Sequence, residues 1–147
     1  MFDQAEAYLL FRVADEQYAL PSGSVHEIVR WRAAVPVPGT PTMLPGILVQ
    51  RGVVYTVVDT RLLFGFATTA PERATRYVLF HEDEHRLALL VDTVLDLIAL
   101  DLTLSEAIPA TLPVARARLL RGVVRHTDLL VALIEPPELL AALYAEV

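Results

Sequence analysis

Apolar residues in this chain come in short runs of four to six, flanking polar clusters of three to five. Tyr8 to Val13 and Gln17 to Leu20 surround Ala14-Asp15-Glu16, and Tyr77 to Phe80 and Arg86 to Val91 surround His81 to His85. Gly46 to Val49 and Val53 to Val58 surround Gln50-Arg51-Gly52, while Gly122 to Arg125 and Leu129 to Ile134 surround His126-Thr127-Asp128. The runs are rich in Val, Leu, Tyr and Thr, the residues of strands, and each polar cluster predicts a hairpin turn. Proline-rich chain separates the hairpins, with Pro36, Pro38, Pro41 and Pro45 in the first half and Pro109 and Pro113 in the second. Proline cannot join a central ladder, so these stretches predict extended crossovers. Two helical signals remain. Asp59 to Gly65 predicts one turn ending at glycine, and Pro137 to Ala145 a helix with Leu139, Leu140 and Leu143 on one face, capping a barrel end.

The pattern repeats. At a constant offset, Tyr8-Leu9-Leu10-Phe11 matches Tyr77-Val78-Leu79-Phe80, Ala19-Leu20 matches Ala88-Leu89, and Val25 matches Val94. Six of the 22 pairs from Tyr8 to Val29 are identical. A second match pairs Gly46 to Asp59 with Gly122 to Glu135, with the same spacing from glycine to acid. Two similar halves are predicted within one 1–147 domain, roughly 8–70 and 77–143, with room for the termini to cross over between them. Each holds about five short strands, which tend to close into a small barrel that leaves no free edge.

Composition narrows the function classes. The chain has no cysteine, which excludes disulfides and thiolate metal sites. Twelve basic and 18 acidic residues give a formal charge of −6, against a nucleic-acid interface. No apolar run reaches the roughly 18 residues of a membrane span, because Asp92, Asp96 and Asp101 interrupt Leu87 to Leu102. The acidic start is no signal peptide, so a soluble, cytoplasmic protein is expected without direct membrane insertion. Apolar residues reach 54 % and charged ones only 20 %, with a mean hydropathy of +0.47. A typical soluble domain is about 25 % charged. The excess fits either a dense core or exposed partner surfaces.

Candidate chemistry is sparse. His81-Glu82-Asp83-Glu84-His85 matches the zinc-protease pattern H-E-x-x-H, which works when a helix puts both imidazoles on one face. Here it falls on a predicted turn, so a zinc hydrolase using His81 and His85 is the weakest reading. The isolated His26 and His126 have no nucleophile or carboxylate partner at a known spacing, and no nucleophile elbow, P-loop or dinucleotide fingerprint occurs. Asp92 and Asp96 read as solvated strand ends. No catalytic set, resident metal or cofactor is expected. A small-molecule-binding barrel is an alternative that needs an internal cavity, whereas barrels this small are filled by side chains. The stretches that stand out are Val25 to Val29, its equivalent Val91 to Asp96, and Arg51-Gly52. Arg51 could hold a partner's carboxylate through two parallel bonds, or brace the two halves against Glu27.

These residues, in this order, resemble the CheW family of chemotaxis adaptor domains. The family pattern is a β-hairpin, V-x-E-I, a Pro-containing crossover, G-x-x-N-L-R-G-x-x-x-P-V-x-D-L, V-D-x-V and a terminal glycine-to-leucine segment. It corresponds to Val25 to Ile28, Gly46 to Thr60, Val91 to Val94 and Gly122 to Leu140, across roughly residues 6 to 143. The departures are Val49-Gln50 for Asn-Leu, Thr56 for proline, Ala88 for glycine and Glu135 for the last aspartate. The resemblance implies a mainly β fold of two similar five-stranded, SH3-like barrels around a shared hydrophobic zone, plus a C-terminal helix. It also implies a non-enzymatic adaptor coupling a chemoreceptor's cytoplasmic helical hairpin to the regulatory domain of a CheA-like histidine kinase. The receptor groove would use Val25, Glu27, Ile28, Arg51, Gly52, Val91 and Val94. The kinase-contacting residues are not assigned by the pattern. With neither a phosphoacceptor domain nor kinase motifs, the chain reads as a free-standing adaptor.

Overall fold

The computed structural model describes residues 5–144. Ten strands form, eight of them at the predicted hairpin runs: β1 (Ala5–Val13), β2 (Glu16–Pro21), β3 (Val25–Arg30), β4 (Gly46–Gln50), β5 (Val53–Asp59), β6 (Arg76–Glu82), β7 (His85–Val91), β8 (Thr93–Asp101), β9 (Leu120–His126) and β10 (Leu129–Ile134), with β3 and β8 supplying the fifth strand of each half. Helices are short: α1 (Thr60–Leu63), α2 (Val114–Ala117) and α3 (Pro136–Tyr144). Asp59 caps α1 by accepting from the Leu62 amide at 3.2 Å, and Gly65 ends the turn at φ 90°. The sequence gives no capping signal for α2, and Ala145, expected at the end of the last helix, lies outside the described residues.

The strands form two five-stranded sheets, in the orders β8-β1-β2-β10-β9 and β3-β6-β7-β5-β4. Consecutive halves of the chain therefore do not map onto the two sheets, and the 8–70 and 77–143 division is corrected. Each half gives its opening hairpin to the other half's sheet: β1 and β2 pair with β8 and β10, while β6 and β7 pair with β3 and β5. The repeat is exact in register. Tyr18 faces Ala132 across the parallel β2–β10 pair, and its equivalent Leu87 faces Thr56 across β7–β5.

The exchange follows from the hairpins' two apolar faces. One face enters the sheet's own interior: Tyr8, Leu10 and Ala19 join Leu100, Val124 and Leu133 in one sheet. Their equivalents Tyr77, Leu79 and Ala88 join Val29, Leu48 and Val57 in the other. Both edge strands of a sheet feed the same cluster, so each sheet is rolled like a barrel. The opposite face, with Leu9, Phe11 and Leu20 from one hairpin and Val78, Phe80 and Leu89 from the other, forms a shared core between the sheets. Truncating a buried aromatic such as Phe11 in such a core costs about 3–5 kcal/mol. Leu139, Leu140 and Leu143 of α3 insert into this shared core, so the helix seals the junction between the sheets instead of capping one barrel end.

Crossover chain guards two of the edges. Val35 exchanges backbone hydrogen bonds with Ile47 of β4 (2.8 and 2.9 Å), and Glu106 does so with Val123 of β9 (2.7 and 3.1 Å). This contact explains the glycines that open the second repeat. A Cβ on Gly46 would sit 2.2 Å from the Val35 oxygen, and one on Gly122 3.0 Å from the Glu106 oxygen. The spacing from glycine to acid closes the same loop. The Asp59 amide donates to the Met43 oxygen and the Glu135 amide to the Leu119 oxygen, both at 2.8 Å, three residues before each glycine.

Two predictions follow from the packing. Gly46→Ala should lower the unfolding free energy in urea by about 3 kcal/mol and Gly122→Ala by about 1 kcal/mol, since only the first collides outright. Equal effects would mean that the crossover does not lie on β4. Burial raises the hydroxyl pKa of Tyr8, Tyr18 and Tyr77 above the ordinary phenol value of 10.0. The folded state thus binds these protons more tightly than the unfolded state, and their contribution is complete below about pH 10. Unfolding free energies measured from pH 8 to 11 should be level at first and then fall. A flat profile to pH 11 would contradict the burial of these hydroxyls.

Candidate functional site

The candidate residues cluster where the chain crosses between the sheets. Two crossovers exist: Ser22–Ser24 carries β2 into β3, and Asp92 carries β7 into β8. Each is followed by the same bulge. His26 is the extra residue between the pairs Val25↔Phe80 and Glu27↔Leu79, and Leu95 is the extra residue between Val94↔Phe11 and Asp96↔Leu10. A bulge re-aims the side chains after it. Before the bulge, Val25 and Val94 share a face with Phe80 and Phe11 and pack on the shared core. After it, Glu27 and Val29 turn toward the interior of the sheet, aligned with Leu79 and Tyr77, while Ile28 stays outside, aligned with Val78.

The result, at each crossover, is a strip on which the shared core reaches the surface. Val25 and Val94 are half-buried, and Ile28 is 40 % exposed. The repeat supplies a counterpart that motif reasoning missed. Leu97 on β8 aligns with Leu9, as Ile28 aligns with Val78, and it is 61 % exposed. The offset that pairs Val25 with Val94 also pairs Ile28 with Leu97, so the signal was present in the sequence. Val91 is different. It is 1 % exposed within the shared core, so it supports the strip from beneath and presents no surface to a partner. That part of the expected contact set is corrected, because Val91 points to the same buried side as Leu87 and Leu89.

Arg51 and Gly52 form the two-residue turn between β4 and β5, with φ 52° and 78°. Both are left-handed, as the hairpin twist prefers, and glycine at the second position removes half of the strain. Nη2 of Arg51 lies 3.3 Å from Oε2 of Glu27, and Nε2 of Gln50 donates to the same oxygen at 3.4 Å. The brace exists, but within one sheet: it links β3 to β4, the two edges of the rolled sheet, and does not join the halves. Arg32 helps by donating to the Val49 carbonyl. The Arg51 side chain is 79 % exposed, so the ion pair adds little stability and leaves most of the guanidinium facing solvent.

The other sequence candidates have structural roles. His81 and His85 lie on the two strands of the β6–β7 hairpin instead of one helical face. His81 Nε2 accepts from Arg86 Nε at 3.0 Å, and the His85 ring stacks on Tyr144 with centroids 4.7 Å apart. Among the described residues no three potential ligands gather around a metal position. Asp96 is exposed, but Asp92, expected to be solvated, accepts three hydrogen bonds: from Arg61 Nε at 3.0 Å, Arg61 Nη2 at 2.6 Å and the Ala14 amide at 2.8 Å. Inside each sheet, buried side chains cluster: Tyr8, Leu10 and Val131 in one, Tyr55, Tyr77 and Leu79 in the other. A cavity of about 310 Å³ lies between Tyr18, Leu120, Leu130 and Ala132 and the crossover residues Pro109 and Leu112. No helix among the described residues is long and apolar enough to cross a membrane.

Comparison with known proteins agrees with this arrangement. The family model described as CheW-like domain matches residues 7–143. The chain is 28 % identical over 133 residues to Chemotaxis protein CheW of Helicobacter pylori, covering 90 % of this chain and 80 % of that protein. It is 26 % identical over 140 residues to Probable chemotaxis protein CheW of Rhizobium etli, covering 94 % and 86 %. The crystal structure of scaffolding protein TtCheW from Thermoanaerobacter tengcongensis superposes with a TM-score of 0.81 at 24 % identity, covering 89 % of each chain, and shares the fold. The family model's match along nearly the whole length of this duplicated, rolled-sheet frame places the chain in the CheW-like domain family as a non-enzymatic adaptor.

Proposed function

We propose that this protein couples a chemoreceptor's cytoplasmic helical hairpin to a CheA-like histidine kinase in the cytoplasm. The observation that carries this reading is the strip on which the shared core surfaces beside an exposed arginine. Val25, Ile28, Val94 and Leu97 offer apolar contact, and Arg51 stands at the rim. An amphipathic helix presents apolar residues every three or four positions and polar ones between them, which suits such a strip. The polar margin fits too. Glu27 holds one edge of the Arg51 guanidinium, and the exposed remainder can pair with a carboxylate on the helix. Gly52 keeps the turn low beside it. A kinase regulatory domain would take a different surface, so that both partners are held at once by one frame.

Arg51→Ala and Val94→Glu are the substitutions that the sequence suggests. Because Val94 packs on the shared core, a charge there would also unsettle the fold, and Ile28→Glu is the cleaner variant. In titrations against a purified receptor tip, Ile28→Glu should weaken binding about tenfold, or 1.4 kcal/mol. Kinase-domain affinity should stay within about twofold. Arg51→Ala should slow association and flatten its salt dependence, as loss of a rim charge does. If the parent protein binds neither the receptor tip nor the kinase domain at tens of micromolar, where transient signalling contacts are still detectable, the coupling role is wrong.

A further inference from the structure

The two crossovers are equivalent in the repeat but are held unequally. At the first, the counterpart of Asp92 is Gly23, which has no side chain and no heavy atom within 4 Å of where a Cβ would stand. At the second, the Asp92 carboxylate gathers groups from both sheets. Ala14 belongs to the turn of the β1–β2 hairpin and sits at φ 55°. Arg61 belongs to α1, which continues β5 of the other sheet. The backbone adds to the joint: the Asp92 amide donates to the Arg12 oxygen at 3.0 Å, and Arg12 Nη1 donates to the Ala14 oxygen at 2.7 Å. The carboxylate is only 15 % exposed, so these bonds are partly shielded from water. In the other half the counterpart of Arg61 is Pro137, which has no guanidinium, and Gly23 offers no carboxylate, so the backbone amide of Asp83, the counterpart of Ala14, has no equivalent joint to complete.

We propose that Asp92 is a positioning residue that locks the angle between the two rolled sheets and thereby sets the docking strip. Its immediate neighbours are Val91 and, two residues on, Val94, so the strip on β8 moves with the carboxylate. The strip on β3 follows the unbraced Ser22–Ser24 crossover. With the lock in place, the two strips face a partner at one spacing; without it, the sheets sample several angles about the shared core. This consequence for binding rests on the adaptor reading, while the lock itself does not. Asparagine in place of Asp92 keeps the shape but has one acceptor oxygen. In one orientation its NH2 group would meet Arg61 Nε, and in the other Arg61 Nη2 and the Ala14 amide, donor against donor in both.

The absence of cysteine makes the test direct. Val54→Cys and Leu130→Cys are equivalent exposed positions on the two sheets, one label on each. Pulsed electron–electron distance measurement on the doubly spin-labelled, folded chain should give one narrow distribution. Adding Asp92→Asn should broaden it at least about twofold, Arg61→Lys should broaden it less, and an Asp15→Asn control should leave it alone. If orientational sampling reduces the competent population to about a tenth, receptor-tip affinity falls about tenfold. An unchanged distribution in folded Asp92→Asn overturns the lock, whether or not any receptor binds. A broadened distribution with parental receptor affinity overturns the effect on the strip. If the parent itself ignores the receptor tip, the adaptor reading fails and the distances still decide the lock. Should Asp92→Asn not fold, Arg61→Lys carries the same decision, because it keeps the charge but loses the two-pronged geometry.

Discussion

The structure depends on one constraint: the β1–β2 and β6–β7 hairpins are apolar on both faces. A two-faced hairpin in a small protein needs a cover on each side. Here Tyr8, Leu10 and Ala19 look into a rolled sheet while Leu9, Phe11 and Leu20 look out of it, and the second hairpin does the same. Reciprocal exchange solves the problem for both at once. Each hairpin becomes the centre of the other half's sheet, and their outer faces meet. At about 25 cal/mol per Å² of apolar surface removed from water, such two-sided burial is the dominant favourable contribution. Much of the high apolar content therefore sits in three contiguous clusters, and the remainder concentrates in exposed residues such as Ile28, Trp31, Leu97 and Leu104. Dense core and exposed apolar surface both hold.

Local patterning was legible in the sequence wherever local chemistry decides. The four hairpins and their turns, the Asp59-capped turn and the terminal helix all follow from apolar runs, turn residues and caps. The duplication was legible as well, and with it the equivalence of Val25 and Val94. Sheet membership was not. Hairpin β1–β2 would look the same in either sheet, and its placement is settled by pairing with β8 and β10, some 80 to 120 residues away in the chain. The burial of Val91 was hidden for a related reason: a position in a motif does not say which side of a sheet faces a neighbour. Asp92 reads as a polar strand end because its partners, Arg61 and Ala14, come from distant turns. The brace between Arg51 and Glu27 was named correctly as a pair, but it closes one sheet instead of joining two.

Divergence on a duplicated frame accounts for the functional asymmetry. The scaffold keeps what the packing demands: the glycines under each crossover, the acids whose amides close each loop, and the paired bulges. It varies what the packing leaves free. The turn that carries Arg51 and Gly52 in one half carries Thr127 and Asp128 in the other, both again left-handed. A strip beside Arg51 and one beside Asp128 thus differ in charge, although their backbones are alike.

The shared core is the claim on which the rest stands, and cooperativity tests it most directly. If the two sheets hold each other's hairpins, neither can unfold alone, and scanning calorimetry should show a single transition whose calorimetric and van't Hoff enthalpies agree. Two separable transitions, or a van't Hoff enthalpy near half the calorimetric one, would mean that the sheets are independent units and that the exchange does not bind them together.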